Sequence, residues 1–124
     1  MARILIIEDD PEVRQLLQSL LVRAGHAVIE AADGREGIHL YRTNKPDLVV
    51  TDLIMPGQEG LETIVELHRE FPDQKIIAIS GGSRDGKDNY LKAAQLCGAD
   101  RIFRKPFDNS EFLAAVGELL DELG

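Results

Sequence analysis

The sequence predicts an α/β fold built on a parallel sheet, on three observations. Short apolar runs alternate along the chain with segments whose apolar residues repeat at helical spacing. Several of these runs are rich in Ile, Leu and Val with almost no polar alternation, which is typical of strands covered by helices on both faces. The chain has 124 residues, the usual size of one domain, so we expect one domain over residues 1–124.

The five apolar runs are predicted to be the strands. They span Arg3–Glu8, Ala27–Ala31, Asp47–Asp52, Lys75–Ser80 and Arg101–Arg104. Right-handed crossovers would place the intervening helices on both faces of the sheet. In such sheets, binding sites form beyond the carboxyl ends of the strands, so the residues that end the strands are the first candidates for function.

Five helices are predicted between and after the strands. In the first, Asp10 is a candidate N-cap, Pro11 suits the first turn and Gly25 is placed to end the helix. Its apolar positions are Val13, Leu16, Leu17, Leu20 and Leu21. The next three helices are predicted over Gly34–Thr43, Glu59–Phe71 and Asp88–Leu96, and Leu61, Ile64 and Val65 of the second of these should face inward. Asp108 is a candidate N-cap for the last helix. Its apolar stripe consists of Phe112, Leu113, Val116, Leu119, Leu120 and Leu123.

Acidic residues end two of the predicted strands. Glu8 and Asp9 end the first and Asp52 ends the third, so parallel central strands would bring three carboxylates to one edge. Mg²⁺ suits such a set, since it binds few carboxylates together with water and substrate phosphate. The alternative is a solvated acidic edge, which is most plausible for Glu8 or Asp10 taken alone. Two further strand ends supply a hydroxyl, Ser80, and a cation, Lys105, which is followed by proline.

Four features follow one another along the chain: Glu8-Asp9, Asp52-Leu-Ile-Met-Pro-Gly57, Ser80 and Lys105-Pro106-Phe107. In its order and spacing, this set resembles the receiver domain of two-component response regulators. The resemblance covers essentially the whole chain. It implies a flavodoxin-like doubly wound sheet of five strands, in the order 2-1-3-4-5, with five helices.

The resemblance also implies a role for each matching residue. Asp52 resembles the phosphoacceptor aspartate. The residues that match the family's ligands for Mg²⁺ (or Mn²⁺) are Asp9, Asp52 and the backbone carbonyl of Ile54. Glu8 matches an acidic residue that holds a metal-bound water molecule. Ser80 and Lys105 match the hydroxyl and ammonium that contact the phosphoryl group. Pro106 matches a proline that is often cis, whereas Asp10 fits an N-cap better than a ligand.

A family member of this kind is a signalling switch that catalyses its own phosphorylation and dephosphorylation, not an enzyme with a separate substrate. The expected phosphodonor is a sensor histidine kinase or a histidine phosphotransfer protein, and the expected output is contact with a downstream protein. A phosphorelay intermediate, or the receiver part of a larger regulator, is the alternative. A small-molecule phosphatase is less favoured, because Ile54 occupies the place of its general acid. A degenerate receiver would lack residues that are present here.

Three departures from the family pattern concern the consequences of phosphorylation. Ile102 stands where a switching aromatic is usual, and Phe103 should point to the opposite face. Ile54 and Gly82 cannot orient a water molecule, so we predict slow self-hydrolysis, which decay within seconds would contradict. The loop over residues 81–88 is rich in glycine and charge, and it is either a partner-contacting loop or simply a solvated one.

Composition excludes some classes of function. The net charge of −8 argues against direct nucleic-acid binding, which needs clustered Lys and Arg. No apolar run approaches the roughly 18 residues of a membrane span. The N-terminus shows no basic leader or cleavage site, so we expect a cytoplasmic protein without membrane insertion.

Overall fold

The computed structural model describes residues 2–53, 59–81 and 94–121. Its five strands form one parallel sheet in the order β2-β1-β3-β4-β5. They are β1 (Arg3–Ile7), β2 (Ala27–Ala31), β3 (Leu48–Asp52), β4 (Lys75–Gly81) and β5 (Arg101–Lys105). The predicted flavodoxin-like sheet and its strand order are therefore confirmed.

The helices are α1 (Pro11–Arg23), α2 (Gly34–Asn44), α3 (Glu59–Glu70), the helical residues 94–97 (α4), and α5 (Asn109–Asp121). Asp10 caps α1 as predicted, since its Oδ1 accepts a hydrogen bond from the Glu12 amide at 2.9 Å. Asp108 caps α5 in the same way, through the Glu111 amide at 3.0 Å. Most of the helix predicted over Asp88–Leu96 lies outside the described residues.

The register of the sheet sets the height of the strand ends. Ile7 on β1 pairs with Thr51 on β3, and Asp52 pairs with Ile79 on β4. Because the strands are parallel, their carboxyl ends meet at one edge of the sheet. β3 is buried along its whole length, and β1 is buried except at Arg3, as expected for strands hydrogen-bonded on both sides.

Each face of the sheet has its own core. On the α2–α3 side, alternate strand residues such as Leu5, Val49 and Ala78 pack against α2 and α3. On the α1–α5 side, the intervening residues pack against Leu17, Leu21, Phe112, Val116 and Leu119. The two clusters therefore fix which way every strand side chain points, up to the strand ends.

Two predicted core positions are wrong. Leu16 on α1 and Val65 on α3 are 47% and 44% exposed, although Leu16 belongs to the apolar stripe of α1 and Val65 is predicted to face inward. Each lies next to a residue that is almost fully buried, Leu17 or Ile64, and neighbours on a helix are about 100° apart around its axis. The sheet therefore covers a narrower arc of each helix than the apolar pattern suggests. The side chains of Leu61 and Leu123 lie outside the described residues.

Candidate functional site

The end of the sheet carries three charged residues on one face. Glu8 follows β1, Asp52 ends β3 and Lys105 ends β5. By strand alternation these residues share the α1–α5 side with Ile6, Val50 and Phe103 of that core cluster. The same packing that buries the apolar residues therefore directs the charged ones toward each other.

These three side chains form a largely buried ion cluster. The Lys105 ammonium donates hydrogen bonds to Glu8 Oε1 at 2.8 Å and to Asp52 Oδ2 at 3.3 Å. Glu8 and Asp52 are 1% and 6% exposed. One ammonium thus lies between two carboxylates in an environment where charge interactions are much stronger than in water.

Burial and neighbouring charges shift the pKa values of Glu8 and Lys105. Burial, reinforced by the neighbouring Asp52 carboxylate, raises the pKa of Glu8 to about 8, against the opposing effect of Lys105. Burial alone would lower the pKa of Lys105, but its hydrogen bond to Glu8 and the charges of Asp52 and Glu8 outweigh that effect and raise it. The cluster therefore holds a stable cation and, at neutral pH, an excess of acidic groups that favours binding one positive charge, either a proton or a metal ion.

A third carboxylate completes a set of possible metal ligands. Oxygen atoms of Glu8, Asp9 and Asp52 all lie within 4.8 Å of one another, with Asp9 the most accessible of the three. Glu8 Oε2 is buried and has no hydrogen-bond partner among the residues that the structure describes. An all-oxygen set with an unsatisfied buried carboxylate atom fits a hard cation such as Mg²⁺ or Mn²⁺. The predicted convergence of the three carboxylates is confirmed.

Ser80 lies at the same edge but on the other face. It is 5% exposed and follows Ile79, the residue level with Asp52. By alternation Ser80 shares the α2–α3 side with Ala78, whereas Asp52 lies on the α1–α5 side. Strand alternation therefore places Ser80 and Asp52 on opposite faces of the sheet, which the sequence analysis did not anticipate.

Several further predictions concern residues near this edge. The Lys105–Pro106 peptide bond is cis, as the resemblance implied. Ile102 and Phe103 pack in opposite core clusters, as predicted from strand alternation. Ile54, Gly82 and all but the first residue of the loop over residues 81–88 lie outside the described residues, so the predicted carbonyl ligand and the slow hydrolysis stay predictions.

Arg14 is a neighbour of the site that the sequence analysis missed. Its Nη1 donates a hydrogen bond to the Glu8 carbonyl oxygen at 2.8 Å. A signal was present, because Arg14 lies four residues after Asp10, one helical turn above the cap that follows the acidic strand end. That spacing points the side chain back toward the start of the helix, where the edge of the sheet lies.

Comparison with known proteins gives consistent matches over nearly the whole chain. The family model of the response regulator receiver domain matches residues 4–117. The chain is 33% identical over 118 residues to the chemotaxis protein CheY of Thermotoga maritima, covering 94% of this chain and 96% of that protein. It is 32% identical over 120 residues to the protein PilH of Pseudomonas aeruginosa, covering 97% and 98%.

A solved structure supports the same assignment of the fold. The crystal structure of a CheY-like response regulator receiver domain protein from Methanospirillum hungatei aligns with a TM-score of 0.89 at 28% identity, covering 98% of this chain and 95% of that chain. Within the described part of this chain, no helix has the length and apolar character that crossing a membrane requires.

Proposed function

The chain belongs to the response regulator receiver domain family, and we propose on that premise that it accepts a phosphoryl group on Asp52. The phosphodonor is a sensor histidine kinase or a histidine phosphotransfer protein, and the reaction depends on Mg²⁺ or Mn²⁺. Phosphorylation then changes the contacts of the domain with a downstream protein. Residues 1–124 act in this proposal as a single receiver domain.

The observation that supports this proposal most strongly is the contact of Lys105 with both buried carboxylates. An ammonium held 3.3 Å from Asp52 is placed to pair with an oxygen of a phosphoryl group carried by that residue. Phosphoryl transfer requires positioning of the reactants and neutralisation of the phosphoryl oxygens more than covalent chemistry by the protein. The cluster supplies both of these from rigid strand ends.

In the proposed reaction, a carboxylate oxygen of Asp52 attacks the phosphorus atom of the donor. A new O–P bond forms as the P–N bond to the donor histidine breaks, and the imidazole leaves with the bonding electron pair. Lys105 pairs with a phosphoryl oxygen, and the Ser80 hydroxyl donates to another from the opposite face of the sheet.

Glu8, Asp9 and Asp52 would hold the divalent cation, with the Ile54 carbonyl as a proposed further ligand outside the described residues. When bound, that ion neutralises negative charge on the transferred group. Water later hydrolyses the acyl phosphate, which returns Asp52 to its free carboxylate.

The test is phosphorylation by a small phosphodonor. We expect the purified protein, incubated with Mg²⁺ and acetyl phosphate, to gain the mass of one phosphoryl group, and we expect the gain to disappear without Mg²⁺ or in Asp52→Asn. Asp10→Asn is the matched control, because it removes a neighbouring acid while asparagine remains an equally good N-cap. Equal labelling of wild type and Asp52→Asn would assign the phosphoryl group elsewhere and refute the proposal.

A further inference from the structure

Arg14 links the ends of two strands beside the carboxylate cluster. It lies in the first turns of α1, and its side chain is 23% exposed. Its Nη1 donates to the Glu8 carbonyl at 2.8 Å, and its Nε lies 3.6 Å from Glu30 Oε1 near the end of β2. Neither contact takes part in the proposed phosphoryl transfer, so the Arg14 guanidinium has no role in that reaction.

The backbone of Glu8 stands just beyond the regular part of β1. Its amide donates to the Ala31 carbonyl at 3.0 Å, which continues the pairing of β1 with β2 by one residue. Its carbonyl accepts the hydrogen bond from Arg14. A side chain of α1 therefore holds the peptide unit that joins Glu8 to Asp9, the two sequence neighbours in the carboxylate cluster.

The orientation of this peptide unit decides where the two side chains point. Along an extended strand, neighbouring side chains project to opposite faces of the sheet. Glu8 and Asp9 nevertheless bring carboxylate oxygens within 4.8 Å of each other and of Asp52. Because the peptide unit is planar, fixing the direction of its carbonyl also fixes the plane from which the Asp9 side chain departs.

We propose that Arg14 is a positioning residue for the cation site: it holds the Glu8–Asp9 peptide so that both carboxylates can serve one divalent ion. The inference rests on the proposed function, since it takes the carboxylate cluster to be a cation site. Groups that orient metal ligands from outside the coordination shell commonly change metal affinity by 10- to 100-fold when they are removed, which is about the effect expected here.

The sign of the effect separates positioning from simple electrostatics. Arg14 is a positive charge close to a site for positive ions, so its charge alone disfavours cation binding. If Arg14 acted only through its charge, removing it would tighten Mg²⁺ binding. If it holds the peptide, removing it weakens Mg²⁺ binding despite the relief of repulsion.

The experiment is calorimetric titration of the metal-free protein with Mg²⁺, with the wild type and every variant measured in the same buffer at the same pH. We expect Arg14→Met, which keeps an unbranched side chain but has no N–H donor, to raise the dissociation constant about tenfold. Arg14→Lys retains a donor for the Glu8 carbonyl and should recover most of the affinity. Glu30→Gln, which removes only the ion pair, should change it about twofold or less. Arg23→Met is the matched control, at the far end of the same helix, and should bind as wild type does.

Unchanged or tighter Mg²⁺ binding by Arg14→Met would overturn the inference, and so would equal weakening by Arg23→Met. Thermal unfolding of each metal-free variant is measured in parallel. If Arg14→Met is also less stable, Arg14→Lys decides, because failure to recover affinity in a variant as stable as wild type contradicts positioning. A wild type that binds Mg²⁺ but is not labelled by acetyl phosphate would refute the proposed function and leave this inference standing, whereas one that binds no Mg²⁺ overturns the inference.

Discussion

The raised pKa of Glu8 predicts that Mg²⁺ binding depends on pH in a range where an ordinary glutamate would show no change. Glu8 has a pKa of about 8 in the metal-free protein because it is buried beside Asp52. A divalent cation that uses this carboxylate must displace its proton. Affinity should therefore rise with pH and level off above the pKa of Glu8.

The size of the effect follows from the fraction of Glu8 that is already ionised. At pH 7, about one unit below the pKa, roughly one molecule in ten is ionised, so the apparent affinity is about tenfold lower than its high-pH limit. At pH 6 the loss is about hundredfold. Binding at pH 7 should release about 0.9 proton per ion, since that fraction of Glu8 is protonated beforehand.

Calorimetry in two buffers of different ionisation enthalpy measures both quantities, because the difference in apparent binding enthalpy gives the number of protons released. Glu8→Gln should bind more weakly, release almost no proton at pH 7 and show a nearly flat pH profile. Asp10→Asn, at the same edge of the sheet, should keep the wild-type profile. A wild-type affinity that stays constant from pH 6 to 8, with no proton release, would show that Glu8 is ionised before the ion arrives and would refute the reasoning.

Two further predictions concern glycines, and chemical denaturation of the metal-free protein measures both. Gly37→Ala should lower the free energy of unfolding by about 1–3 kcal/mol, because a Cβ on this residue of α2 would lie 2.7 Å from Cγ1 of buried Ile7. Gly117→Ala, in open space within α5, should instead raise the free energy of unfolding by about 0.5–1 kcal/mol. Equal effects at both sites would contradict the packing argument. Gly98→Ala should lower the free energy of unfolding by about 2–4 kcal/mol, since φ is +124° and the new Cβ would lie 2.6 Å from His68 Cγ. Adding His68→Ala should recover only the part of this loss that comes from the steric clash. Full recovery would exclude a contribution from backbone strain.

The sheet was predictable from sequence because its signals are local and agree with one another. Apolar runs such as Leu48–Val50 have no polar alternation, which is typical of strands buried on both faces. Caps at Asp10 and Asp108 mark where helices start, since side-chain oxygens there satisfy free backbone amides. The strand order, in contrast, came from resemblance, because local patterns do not state which strands are neighbours.

The composition of the site was predictable, but its contacts were not. Strand ends identified Glu8, Asp52 and Lys105, since parallel strands bring their carboxyl ends to one edge. The sequence did not reveal that Lys105 lies closer to Glu8 than to Asp52, because that depends on side-chain length and packing across three strands. Arg14 was missed for a related reason, since its partner is a backbone carbonyl that no residue type marks; the only signal is its position one helical turn after the Asp10 cap.

The charge balance of the site connects the proposed cation binding with the energetic cost of burying its carboxylates. With both Glu8 and Asp52 ionised, Lys105 offsets only one of two buried negative charges; burial, reinforced by the neighbouring Asp52 carboxylate, raises the pKa of Glu8. A second ammonium in place of this imbalance would stabilise the metal-free protein but would compete with the cation for the same oxygens. Under the proposed function, the remaining negative charge is therefore a requirement for cation binding. The buried central strands β1 and β3, hydrogen-bonded on both sides, are the part of the fold best able to hold it in place.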